Sequence, residues 1–63
     1  MNYKEAALKA IELRSVYDIA EGRFVFVNKL IYWGESLTVF GYGKYYKAAD
    51  YKKTWRLTEN GED

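Results

Sequence analysis

The sequence predicts an α+β domain, an N-terminal helix packed on a small curled antiparallel sheet of three to five strands. Three observations carry this. Residues 3–21 contain neither Gly nor Pro and follow a favourable N-cap, Asn2. From Gly22 onward the chain turns β-branched and aromatic. Gly34, Gly41 and Gly43 then punctuate it at short intervals, leaving no room for a crossover helix, so a meander is the economical topology.

The helix is predicted over residues 2–21. Glu5 stands three residues after Asn2, the capping-box spacing, and Gly22 is placed to take the left-handed conformation beyond the last turn. Ala6, Ala10, Leu13, Tyr17 and Ala20 share one stripe at helical spacing, and the small alanines allow close approach to a sheet. Leu8, Ile11 and Ile19 fall on another side, which needs cover from the rest of the chain or from a second copy in a homodimer.

Strands are expected at about residues 23–33, 37–48 and 51–58. In the first, Phe24 and Phe26 point one way and Val25 and Val27 the other, so both faces are apolar and the strand reads as sandwiched. Asn28-Lys29 is an optional turn within it, and Gly34-Glu35-Ser36 the surer one. In the second, Gly41 and Gly43 suggest a bulge or sharp bend around Tyr42. In the third, Tyr51, Trp55 and Leu57 share an inward face, with Lys52, Thr54 and Arg56 outward. Residues 59–63 are polar and acidic and read as a frayed tail.

Sixty-three residues make one domain whose core is small, and the chain has neither Cys nor His to staple it. Yet 49% of residues are hydrophobic and 19% aromatic. Either the core is unusually aromatic, or part of that surface is buried against another chain. No apolar run is free of charges for long enough to span a membrane, and the lack of cysteine fits a cytoplasmic location.

The net charge of +1 conceals segregation, because residues 42–56 carry +4 and the last seven residues −3. Residues 42–56 interleave five aromatic rings with five cations against a single carboxylate. Such a surface suits a protein partner or stacked bases. The residues expected to bind a partner are Tyr42, Lys44, Tyr45, Tyr46, Lys47, Lys52 and Arg56.

Catalysis has little support. Without His or Cys the usual neutral-pH base and the thiol nucleophile are missing, and Ser15 and Ser36 have no evident activating partner. Gly41-Tyr42-Gly43 opens like a dinucleotide loop, but Tyr46 stands where the third glycine belongs. No cofactor or metal is expected.

Ala49-Asp50-Tyr51-Lys52-Lys53-Thr54-Trp55-Arg56-Leu57 resembles a run near the C-terminus of many small phage and prophage proteins of Gram-positive bacteria. There an Ala/Ser-Asp-Tyr-Gly-Lys-Thr-Trp segment leads into a last strand. The match covers nine residues and departs at Lys52, where Gly is usual. The resemblance implies phage origin and, for a protein of this size, binding and inhibition of a host defence or replication protein. The expected function is therefore a non-enzymatic binding module. The alternative is a single-stranded nucleic-acid binder using the same Tyr/Lys-rich residues 42–56.

Overall fold

The structure is a computed structural model that describes residues 1–34 and 36–61, with the backbone alone for Trp33. A helix, α1 (Tyr3–Leu13), is followed by β1 (Ser15–Asp18), β2 (Arg23–Phe26), β3 (Lys29–Trp33), β4 (Ser36–Gly41) and β5 (Lys44–Lys47). A 3-10 turn (Ala48–Asp50) leads to β6 (Trp55–Arg56). The strands form two antiparallel sheets, β2-β1-β6 and β3-β4-β5. The class is α+β with the helix packed on sheet, as the sequence predicts, but six strands in two sheets replace the single meander of three to five, because β6 returns to pair with β1.

The helix starts as expected and ends early. Asn2 Oδ1 accepts from the Glu5 N–H at 2.9 Å while its Nδ2 donates to Glu5 Oε1 at 3.3 Å. Arg14 then takes φ 60 and its N–H closes back on the last turn. Left-handed geometry costs a non-glycine residue roughly 1–2 kcal/mol. What outweighs it is sheet pairing of Ser15-Val16-Tyr17-Asp18, whose β-branched and aromatic residues are weak helix formers. The predicted stripe is accordingly cut. Ala6 and Ala10, with Ala7, are buried, Leu13 is half-exposed, and Tyr17 and Ala20 lie beyond the helix.

The proposed self-association stripe is cut as well. Leu8 is exposed on the helix, Ile11 packs against the core, and Ile19 sits after β1 with its N–H on the Thr54 carbonyl. Gly22 caps no helix. At φ 67 it closes the β1–β2 connection, donating to the Asp18 carbonyl at 2.8 Å.

Residues 23–33 are not one strand, and Asn28-Lys29 is not a hairpin turn. Val27 donates to the Arg14 carbonyl on the first sheet at 3.2 Å, and Asn28 donates to the Phe40 carbonyl on the second at 3.0 Å. The chain therefore changes sheets between Val27 and Asn28. Gly41 allows this. A Cβ there would lie 2.2 Å from the Phe26 carbonyl oxygen and 2.4 Å from Val27 Cα, so only glycine lets the two backbones meet.

Residues 37–48 likewise divide. Tyr42 (φ 48) and Gly43 (φ 75) make a two-residue hairpin turn between β4 and β5, with Gly41 opposite Lys44. The last strand shrinks to Trp55–Arg56, because only Tyr17 and Asp18 of β1 pair with it. Before it, the Lys53 and Thr54 N–H groups both bond the Asp50 carbonyl, holding a turn in which Lys52 takes φ 70. The tail is tied through Gly61, since Arg56 donates to the Glu59 carbonyl and Gly61 to that of Thr58. Residues 62 and 63, and Glu35 of the expected Gly34-Glu35-Ser36 turn, lie outside the described residues.

The core lies where α1 covers the inner faces of both sheets. Trp55, Val16, Val27 and Val39 are fully buried at its centre, closed by the helix alanines, Val25, Leu37, Tyr46, Ala48 and Leu57. The Trp55 indole N–H finds its acceptor in the Lys47 carbonyl at 2.8 Å, which lets the ring be buried whole.

Candidate binding surface

Strand alternation puts valine inside the first sheet and aromatic rings outside it. Val16 and Val25 face each other inward, so Tyr17 and its partner Phe24 turn outward, as does Phe26. The Tyr17 and Phe24 rings meet edge to face with centroids 5.1 Å apart. The Arg56 guanidinium from β6 sits over the Tyr17 ring at 5.2 Å, and Phe26 meets Tyr42 of the β4–β5 turn at 5.5 Å. The result is a row, Arg56, Tyr17, Phe24, Phe26 and Tyr42, that crosses the sheet. Phe24 is 49% exposed, Phe26 40% and Tyr42 84%. A core has no use for rings left this open, whereas a binding surface does.

Only part of the predicted site belongs to this row. Tyr42 and Arg56 stand at its two ends. Tyr45 is exposed on the outer face of the second sheet, packed on Phe40 at 4.6 Å, with exposed Lys47 on the same face. Lys52 is exposed beside the Tyr51 ring. Tyr46 is buried, because β5 alternation that turns Tyr45 out must turn Tyr46 in. Lys44 is held by Asp18 and Glu21.

Phe24, Phe26 and Tyr17 escape the sequence reading. A Phe-Val-Phe-Val run offers no polarity contrast to say which face is inside. The expectation of a sandwiched strand fails for the same reason, since its phenylalanine face is open. The one available signal is size, because a domain this small closes more tightly around valine.

Beneath the surface a polar network ties the sheets together. Asp18 is buried on β1 and accepts from the Glu21 N–H at 2.9 Å, from the Tyr46 hydroxyl at 2.8 Å and from Lys44 Nζ at 3.4 Å. Glu21 also pairs with Arg23 at 3.0 Å. Burial, and then the hydrogen bond to the Asp18 carboxylate, push the Tyr46 phenol above its ordinary value. Each charge here has a neighbour of opposite sign, which is the pattern of a structural network.

A cleft between the N-terminus of α1 and the second sheet is lined by Tyr3, Ser36, Leu37, Lys47 and Ala49. Its volume of about 170 Å³ is below the roughly 300 Å³ at which small-molecule pockets begin. Among the described residues, no three of the metal-ligating His, Cys, Asp or Glu side chains stand together. Nor is any helix long and apolar enough to cross a membrane. No family model, no curated protein and no solved structure matches the chain.

Proposed function

We propose that the protein is a non-enzymatic binding module whose aromatic row docks on another protein. One observation carries the reading. Tyr42 holds a left-handed backbone, φ 48, at a turn position where Asn or Gly is favoured, and is nevertheless 84% exposed. A bulky ring there strains the backbone and buries little within the chain. Its benefit is to an occupant that packs on Tyr42 and Phe26 together.

The charge distribution favours a protein over a nucleic acid. Of the five cations in residues 42–56, Lys44 is occupied by Asp18 and Glu21, and Arg56 by the Tyr17 face and the Glu59 carbonyl. Lys47, Lys52 and Lys53 remain exposed, Lys47 on a strand of the second sheet and Lys52 beside the Tyr51 ring. Apolar rings flanked by an arginine and a tyrosine match the composition of protein-binding hot spots. The phage-like run at residues 49–57 makes a bacterial host protein the natural target, blocked by occlusion.

The experiment is capture from a bacterial host lysate, with nuclease treatment and a salt series. The wild-type chain is expected to retain a protein after nuclease and with shallow salt dependence, and Phe24→Ser to lose it. Retention that vanishes with nuclease, or falls steeply as salt rises, overturns this reading in favour of nucleic-acid binding.

A further inference from the structure

We propose that the free edge of β3 pairs with β3 of a second copy, joining two three-stranded sheets into one six-stranded sheet. No residue of the aromatic row belongs to β3, and all but Tyr42 of the β4–β5 turn lie on the other sheet. The backbone groups that β3 uses leave one side of it open. The Phe40 carbonyl accepts from Asn28, so Phe40 turns its backbone groups toward β3. Groups alternate along a strand, so Thr38 and Ser36 turn the same way, toward Ile31 and Trp33 in register. Lys29, Ile31 and Trp33 therefore bond β4, and Leu30 and Tyr32 turn their N–H and C=O groups outward. Among the described residues, no backbone group outside the β3–β4 pair bonds either one.

The other edges are closed or guarded. On β5 the Lys47 carbonyl is taken by the Trp55 indole, and Lys44 and Lys47 bracket the strand. On β2 the Phe26 carbonyl abuts Gly41. The last strand, β6, is only two residues long. The β3 edge has one charged residue, Lys29 at its start, and Tyr32 on it is 73% exposed.

This edge is complementary to itself. In an antiparallel pair centred on Ile31, Leu30 falls opposite Tyr32 of the other copy, and Lys29 opposite Trp33. The Leu30 N–H then meets the Tyr32 carbonyl and the Leu30 carbonyl meets the Tyr32 N–H, twice over by symmetry. The outward groups are the ones this register requires. It also keeps the charges apart. The two Lys29 positions sit four residues from each other along the strand, about 13 Å, which exceeds the screening length of roughly 8–10 Å. The second copy is thus preferred to an arbitrary extended peptide, because register and charge both close on the chain's own sequence.

The test is sedimentation of the full chain from about 10 μM to about 1 mM, spanning weak association, combined with amide exchange. The wild type is expected to dimerise, with Leu30 and Tyr32 amides slowing at least several-fold as concentration rises. Tyr32→Pro removes an outward N–H without touching the β3–β4 ladder, and Tyr32→Lys places a charge on the edge. Both are expected to abolish the dimer, and Tyr32→Phe to keep it. If Tyr32→Pro fails to fold by circular dichroism, Tyr32→Lys decides. A monomer at every concentration overturns the proposal, as does a dimer unaffected by Tyr32→Lys. Loss of the dimer in Leu8→Lys alone would move the contact to α1 and equally overturn it.

Discussion

The Tyr46 hydroxyl donates a 2.8 Å hydrogen bond to Asp18 Oδ2, linking β5 of one sheet to β1 of the other. Both residues are buried, so the bond acts where water cannot substitute for it. Tyr46→Phe keeps the ring and leaves the carboxylate with Lys44 and the Glu21 N–H. Hydrogen bonds to charged groups contribute about 1.5–3 kcal/mol, and the variant is expected to lose that much in a urea titration. Asp18→Ala removes the acceptor for all three donors and should cost more.

The same pair sets an alkaline limit. The folded-state value of Tyr46 is raised above its ordinary 10.0, so the native chain holds this proton more tightly than the unfolded one. Stability from the group is complete below about pH 10 and declines as pH rises beyond it. Thermal midpoints between about pH 8 and pH 11 should therefore fall more steeply in wild type than in Tyr46→Phe. Equal slopes would mean that the phenol is neither buried nor held by Asp18.

Gly41→Ala tests the crossing of the two sheets. The added Cβ would fall within 2.2 Å of the Phe26 carbonyl oxygen, against backbone that has no rotamer to change. Overpacking ordinarily costs about 1–3 kcal/mol, and a backbone clash should reach or exceed the top of that range. A denaturation midpoint within error of wild type would mean that the sheets do not meet there.

Lys52→Gly should do the opposite. Lys52 takes φ 70, a conformation glycine adopts freely, and its side chain is exposed. The gain in folding stability should be a few tenths to about 1 kcal/mol, read as a raised thermal midpoint. A loss would show that the Lys52–Tyr51 contact outweighs the strain.

How much of this was legible in the sequence depends on whether polarity marked the choice. The Asn2–Glu5 cap, the helix alanines, the β3–β4 hairpin and the inward Trp55 and Leu57 follow from local pattern. The end of α1 does not, since Arg14 carries no helix-stop signal and only pairing of β1 with distant β2 and β6 selects a strand there. The switch of sheets at Val27-Asn28 is hidden for a related reason, because it depends on Gly41 at a different point of the chain. Of the candidate site, Tyr42 and Arg56 were readable as ring and charge. Phe24 and Phe26 were not, because phenylalanine and valine differ in size rather than polarity. Tyr45 and Tyr46 are chemically identical neighbours, and only strand register separates them.

Tyr42 offers the most direct test of the binding surface. Tyr42→Asn relieves the left-handed strain, worth about 1 kcal/mol, while giving up a ring contact with Phe26 of about 0.5–1.5 kcal/mol. The decisive measurement pairs the thermal midpoint of this variant with its capture of the host protein retained by wild type. Lost capture with a midpoint within a few degrees of that of wild type is the result the account predicts. Undiminished capture, or loss accompanied by a midpoint lower by more than the roughly 4–8 °C that 1 kcal/mol represents in a domain of this size, would contradict it.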